Sequence, residues 1–306
     1  MNNLQNHIHE YLHYCQYQKR LDHKTLKAYR IDLTQFMTLV KKENITDITT
    51  ATLEDCIVSY HESYKPKTVK RKLASLKSFF HYLEYKDYME KNPFSKIKTS
   101  FREPTTLPKT IPLHTMETLL STMYKQRSLA KSIYQKRNVL KDIAVIEVLF
   151  ATGMRVSELC SLKNEDVNLY DRTILIFGKG SKERQIQIGN DDVIKILKEY
   201  RNDYITEIEN SSYFFVNQTG SPLNDQAVRR IIKKYAALAS IPLHMTPHMF
   251  RHTFATCLLE ADVDIRYIQK MLGHSSIHIT EIYTHVTMSK QLDILMTKHP
   301  RKDMEV

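Results

Sequence analysis

Thr246-Pro-His-Met-Phe-Arg251-His-Thr and, further along, Leu272-Gly-His-Ser-Ser-Ile-His-Ile-Thr-Glu-Ile-Tyr283-Thr-His285 are the stretches on which this chain turns. In the first, Thr246 suits a helix N-cap and Pro247 the first helical position, where a missing N–H costs nothing. His248 and Arg251 then lie three apart on one face of the first turn, at a helix end that attracts phosphate. In the second, Gly273 can end one helix and Ser275 or Ser276 can start the next. That leaves His274 at the break and Tyr283 on the helix that follows. A phenol, with a pKa of about 10, is a poor nucleophile near neutrality. It becomes a useful one where cations hold a phosphodiester and stabilise the charge that develops on it. Taken singly, His248 and Arg251 also fit a capped helix with polar surface residues, and Tyr283 is one of 18 tyrosines.

Two segments upstream carry further cations. In Ala151-Thr-Gly-Met-Arg155-Val-Ser-Glu158-Leu, Arg155 follows a glycine placed to end a helix, so it sits at a junction. From there an arginine can present its fork to a phosphate. In Phe177-Gly-Lys179-Gly-Ser-Lys182-Glu-Arg184, Lys179 lies at the tip between two β-like runs, Thr173–Phe177 and Arg184–Ile188. Such a tip can enter a DNA groove, and a lysine there can protonate a leaving oxygen. Each segment alone reads better as a loop arginine or a solvated turn; the joint occurrence in this order is what packing does not explain.

Around these segments the chain reads as two domains and as mainly helical. Residues 4–40 carry helical periodicity in two pieces, the second marked by Leu26, Tyr29, Leu33, Phe36 and Val40. A threonine followed three residues later by an acid, within Thr49–Asp55, suits a cap before a third helix. Pro66 opens a fourth, with Val69, Leu73, Leu76, Phe80 and Leu83 on one stripe. Residues 1–98 therefore read as an all-helical bundle and 99–112, with three prolines, as a linker. Residues 113–306 read as a mixed α+β domain. There, Leu113–Met123 and Lys136–Thr152 are expected to be helices, the hairpin follows, and Tyr213–Val216 is expected to be a further short strand.

Bulk properties agree with a polyanion as partner. The 306 residues carry a formal net charge of +11, with 42% hydrophobic and 26% charged residues. Residues 1–103 hold 18 basic against 12 acidic side chains and the remainder 27 against 22, so both parts are basic. Six glycines disfavour Gly-rich sandwiches and barrels. Cys15, Cys56, Cys160 and Cys257 are far apart, which excludes a CxxC metal site or a disulfide ladder and fits a reducing cytosol. The first residues lack the basic-then-apolar run of a signal peptide. The best apolar run, Ile143–Phe150, is broken by Glu147 and is too short to span a bilayer. A soluble, cytoplasmic protein without membrane association is expected. No tight carboxylate cluster suggests a metal-dependent nuclease.

The order Arg155, Lys179, His248-x-x-Arg251, His274, Tyr283 resembles that of the tyrosine recombinases, the phage integrase family. The runs ATGMRVSEL, GKGSKER, TPHMFRHTFAT and LGHSSIHITEIYTH, and the ending His299-Pro-Arg301, are similar to its Xer-like branch. Lys24–Leu33 and Lys67–Phe80 resemble its N-terminal core-binding domain, a SAM-like helical bundle that packs across DNA opposite the catalytic domain. No separate arm-binding domain is expected before it. One departure is residues 124–137, which lengthen the region before Arg155. That makes a mobile-element integrase or transposase at least as expected a role as Xer-type chromosome resolution.

The resemblance implies a site-specific recombinase that cleaves and rejoins duplex DNA through a 3′-phosphotyrosine and a Holliday junction. Tyr283 would be the nucleophile, Arg155 and Arg251 would neutralise the scissile phosphate, and Lys179 would protonate the leaving 5′-oxygen. His248 would act on the Tyr283 proton, and His274 would bond the phosphate. No cofactor, ATP or metal is implied. The expected partners are a double-stranded recombination site and three further protomers in a tetramer, one type of which can be a second recombinase. The stripe Gln291–Met296 would dock on the neighbouring protomer or pack on its own domain. Candidate phosphate contacts are Lys24, Arg30, Lys67, Lys70 and Arg71, and Lys182, Arg229 and Arg230 in the second domain. Two rivals remain: a catalytically inactive DNA-binding protein of the same fold, and a type IB topoisomerase.

Overall fold

A computed structural model describes residues 3–97, 101, 108–178 and 183–273. The expectations on Lys179, Lys182, His274, Tyr283 and the 291–296 stripe lie outside the described residues. The chain divides into two compact units, Met1–Thr105 and Thr106–Val306, so the division falls within the 99–112 segment. Ile111, near the end of that segment, is already buried in the second unit, its N–H donated to Thr253 Oγ1 at 2.8 Å.

The first unit is built from α1 (Leu4–Tyr17), α2 (His23–Val40), α3 (Thr50–Ser63) and α4 (Pro66–Tyr85). Local chemistry sets their starts. Asn3 caps α1 by accepting from the N–H groups of Gln5 and Asn6, and Asp22 caps α2 by accepting from Thr25. Pro66 occupies the first position of α4. The cap of α3 differs from the expected threonine–acid pair: Thr49 and Thr52 bond reciprocally. The α4 stripe Val69, Leu73, Leu76, Phe80 and Leu83 is buried, and it meets Leu33 and Phe36 of α2 in one core. Tyr11 of α1 closes that core, its ring 5.4 Å from Phe79 and 5.2 Å from Tyr82.

Inside this apolar unit sits a charged cluster. Asp32 and Lys72 are each 1% exposed at the side chain. Asp32 accepts from Ser75 Oγ at 2.8 Å and from Lys72 Nζ at 3.4 Å, and Arg71 Nη1 also bonds it. Lys72 further bonds Gln35 and lies 4.6 Å from the Tyr64 ring centroid and 5.1 Å from that of Tyr60. A charge held out of water survives only when paired and hydrogen-bonded, and this cluster meets both conditions.

The second unit places α6 (Ile133–Thr152) at its centre, with every residue from Val139 to Leu149 buried. Around it lie α5 (Leu113–Leu129), α7 (Val156–Ser161), α8 (Asp191–Asp203), α9 (Ile205–Ser211), α10 (Asp225–Leu238), α11 (Pro247–Glu260) and α12 (Ile265–Leu272). The two buried acids of α6 are compensated: Glu147 accepts from Tyr124 Oη at 2.8 Å and Asp142 from Lys234 Nζ at 3.0 Å. The strands β1 (Val167–Asn168), β2 (Thr173–Phe177) and β3 (Glu183–Gln187) form an antiparallel sheet in that order, with Ile174 opposite Ile186.

Three sequence expectations change here. The α5 helix runs on to Leu129 and α6 begins at Ile133, capped by a Ser132–Gln135 box. The lengthened 124–137 region is therefore mostly helix, tied down by Arg127 to Glu199 of α8 and by Arg137 to Glu207 of α9 at 2.6 Å. The two-residue strand β1 was not anticipated. Tyr213–Val216 is not a strand; only its ends form isolated bridges, Lys163 with Tyr213 and Val216 with Pro222. The hydroxyl of Tyr200 replaces a strand partner, donating to Phe214 O and accepting from Val216 N, both at 3.0 Å. Among the described residues, no helix is long and apolar enough to cross a membrane.

Candidate active site

Arg155 stands where two helices meet. Gly153 ends α6 in the left-handed conformation at φ +59°, and Arg155 is the N-cap residue of α7. Its guanidinium is about one-third exposed and donates from Nη1 to Glu158 Oε1 at 2.8 Å, while its main-chain N–H donates to Glu158 Oε2 at 2.8 Å. An acid three residues into a helix satisfies an otherwise orphaned N–H at the start. Here the same acid also orients the arginine.

Glu158 is shared. Arg184, on β3, donates to Oε1 at 3.0 Å and to Oε2 at 2.7 Å. Burial alone pushes the Glu158 carboxyl pKa up, but the bonds from Arg184 and Arg155 outweigh it and hold the pKa below the usual carboxylate value. The group is an anion flanked by two cations. Neither Glu158 nor Arg184 was assigned a role from the sequence. The cap spacing from Arg155 to Glu158 was the one local signal present.

Arg251 and His248 start α11 as expected, with Pro247 at the first helical position. Thr246 occupies the N-cap position, but its side chain makes no capping bond. The two functional side chains differ in environment: His248 is exposed, whereas Arg251 is 4% exposed. Arg251 donates from Nη1 to Gly153 O at 2.9 Å and from Nη2 to Leu272 O at 2.7 Å. These oxygens belong to the C-terminal ends of α6 and α12, where unpaired carbonyls and the helix dipole favour a cation. The guanidinium thus locks three helix ends together.

The imidazole of His248 has its pKa lowered by the surrounding protein mass and then by the positive charges of Arg229, Arg251 and Arg155, against a small opposing effect of Asp225. Those causes place Arg155, Arg251, Arg229 and His248 in one electrostatic neighbourhood. His252, next along α11, is lowered likewise by burial, His248 and Arg251. A neutral imidazole among arginines can take a proton, and the arginines can face an anion. Among the described residues, no group of three or more His, Cys, Asp or Glu side chains is placed to hold a metal ion.

Of the remaining candidates in the second unit, Arg229 is brought to His248 by α10. Arg230 is its exposed neighbour. In the first unit Lys24 and Arg30 are exposed on α2, and Lys67, Lys70 and Arg71 on α4. Arg71 is not a free surface charge, since it bonds the buried Asp32.

A mainly helical unit with a small antiparallel sheet thus gathers two arginines and a histidine from the starts of α7 and α11, a cationic site suited to an anion. Residues 114–290 match the phage integrase family, and residues 8–86 match the phage integrase N-terminal SAM-like domain. The chain belongs to the phage integrase family, the tyrosine recombinases, enzymes of site-specific DNA recombination. It is 64% identical over 303 residues to a tyrosine recombinase of Agathobacter rectalis, covering 99% of both chains. It is 33% identical over 310 residues to the tyrosine recombinase XerC of Bacillus subtilis, covering 98% of each. In fold it is similar to the XerH site-specific recombinase solved with a palindromic difH substrate after cleavage. The TM-score there is 0.74 at 23% identity, covering 89% of this chain and 79% of that one.

Proposed function

We propose that the protein recombines specific duplex DNA sites by transesterification, with Tyr283 as the nucleophile. The Tyr283 oxygen attacks the scissile phosphorus and loses its proton toward His248. The 5′-oxygen leaves with a proton from Lys179. Arg155 and Arg251 face the non-bridging oxygens, and His274 donates a further bond to the phosphate. One phosphoester is exchanged for another, so a 5′-hydroxyl from a partner duplex reverses the step and rejoins strands without an outside energy source. Electrostatic stabilisation by prepositioned donors carries most of such a reaction.

The observation that carries this reading is the gathering of Arg155, Arg251 and His248 from the α6–α7 junction and the start of α11. An inactive DNA-binding protein has no need of a buried arginine wired to two helix ends beside a neutral histidine. We assign residues 1–98 to core binding and 113–306 to catalysis, with 99–112 joining them. Lys24, Arg30, Lys67, Lys70 and Arg71, with Lys182, Arg229 and Arg230, supply phosphate contacts. Recombination of two sites takes four protomers on DNA in the cytoplasm, in either an integrating element or an Xer-type system.

The test is a suicide substrate, a nicked duplex selected by the wild-type protein from a random-sequence pool. Wild type is expected to form a covalent protein–DNA adduct on a denaturing gel. Tyr283→Phe is expected to bind the same duplex and form none; an adduct persisting in that variant overturns the assignment. Relaxation of plasmid without exchange between sites would point to the topoisomerase reading instead.

A further inference from the structure

We propose that Arg184 is a positioning residue for strand cleavage: it sets the Arg155 guanidinium through Glu158 and fastens the end of α12. The proposal rests on the recombinase reading and adds a residue with no part in the chemistry described above.

Arg184 directs its guanidinium at two different parts of the second unit. Nη1 and Nη2 take the two oxygens of Glu158 as a fork at 3.0 and 2.7 Å, and Nε donates to Met271 O at 2.8 Å. The side chain is 8% exposed, so these bonds form away from competing water. Each Glu158 oxygen accepts from both sides, Oε1 from Arg155 Nη1 and Oε2 from the Arg155 N–H. A carboxylate gripped by one flexible arginine can pivot. A carboxylate fixed bidentately by a second arginine cannot, so Arg155 is left one orientation.

Charge gives a second reason. A lone Glu158 would cancel Arg155 and draw it away from a phosphate. With Arg184 sharing the anion, the trio carries a net charge of +1, and Arg155 keeps a surplus for a ligand. Its guanidinium stays about one-third exposed, whereas that of Arg184 does not.

The third bond reaches the other end of the site. Met271 O and Leu272 O are consecutive carbonyls at the end of α12, and Arg184 and Arg251 hold one each. Gly273 follows at φ +66°, and a Cβ there would stand 3.0 Å from Arg184 Cδ and 3.1 Å from its Nη1. Glycine therefore serves both the turn and the arginine beside it. In sequence, His274 is the next residue and Tyr283 follows. Arg184 thus joins β3, which follows Lys179 in the chain, to the Arg155 junction and to the residue after which the nucleophile segment begins.

Arg184→Lys keeps the charge but cannot fork and reach Met271 O together. On the suicide substrate at saturating protein, its adduct formation is expected to fall by up to about 100-fold, as a misplaced catalytic group does. DNA affinity is expected to stay at the wild-type level, while the melting temperature falls with the buried bonds that lysine cannot replace. A second substrate carries a neutral methylphosphonate at the scissile position, which needs no arginine charge; on it the loss relative to wild type is expected to shrink. Wild-type rate on the phosphodiester, or an equal loss on both substrates, overturns the proposal. If Arg184→Lys does not fold, the Arg184→Met/Glu158→Gln pair, which leaves no unpaired buried charge, is read by the same two rates. Absence of adduct from wild type itself counts against the recombinase reading, not this one.

Discussion

Arg251 donates from Nη1 to the main-chain oxygen of Gly153 at 2.9 Å, across 98 positions of sequence. The bond joins the start of α11 to the end of α6, and so sets two arginines of the proposed site, Arg251 and Arg155, against each other. Gly153 permits the approach twice over. Its φ of +59° is one that other residues adopt at a cost, and a Cβ there would lie 2.6 Å from Phe254 Cδ1 and 3.1 Å from Leu272 Cδ2. Gly153→Ala is therefore expected to destabilise the second unit by about 2–4 kcal/mol, the left-handed strain adding to overpacking. The urea midpoint measures this, and an unchanged midpoint would show that the helix ends adjust freely.

The buried cluster of the first unit makes an asymmetric prediction. Asp32→Asn leaves Lys72, 1% exposed, without its counter-charge. It is expected to cost about 3–5 kcal/mol, as breaking one half of a buried pair does. Replacing both, as Asp32→Leu with Lys72→Met, removes the uncompensated charge and is expected to cost clearly less. Denaturant unfolding of the single and double variants checks the order, and equal losses would contradict the pairing.

His248 should report its environment in the pH dependence of cleavage. Its pKa is lowered below 6.5 by partial desolvation and by Arg229, Arg251 and Arg155. A proton acceptor of this kind is neutral above its folded pKa, so the single-turnover rate should hold down through pH 6.5 and fall only at lower pH. The linked stability has the same sign: a depressed folded pKa contributes stability fully present above the unfolded value of 6.5, lost as pH falls through the folded value. Arg229→Ala removes a neighbouring cation and is expected to move the acid limb toward 6.5. His248→Gln is expected to abolish the limb, and a limb unmoved by either change would assign it elsewhere.

Phosphate binding by the first unit is testable by salt. Lys67 and Lys70 are exposed on α4. Removing one lysine–phosphate pair is expected to reduce the slope of log affinity against log salt by about 1. Lys67→Ala with Lys70→Ala should weaken specific and random duplexes alike. An unchanged slope removes both residues from the interface.

Much of this architecture was readable along the chain because its signals are local. The stripe Val69, Leu73, Leu76, Phe80 and Leu83 repeats with the helix and is buried as a set. Gly153 and Pro247 mark a helix end and a helix start, and the structure has them there. The Arg184–Glu158 fork spans 26 positions and the Lys72–Asp32 bond 40, and no periodicity marks either. Tyr213–Val216 misled because β-like composition does not reveal that Tyr200 supplies the bonds a neighbouring strand would.

The sequence by itself determined which chemical groups the protein carries, their order, and, at Gly153 and Pro247, where one helix ends and another begins. Propensity, capping and hydrophobic period act over a few residues, and the family order of Arg155, His248 and Arg251 is linear information. Only the tertiary structure decided that Arg251 is buried on two carbonyls while His248 stays exposed, and that one carboxylate, Glu158, is shared by Arg155 and Arg184. Those outcomes depend on which helix ends pack together and which charges are then left out of water. That is settled by the energy of pairing across the fold rather than by neighbours in the chain.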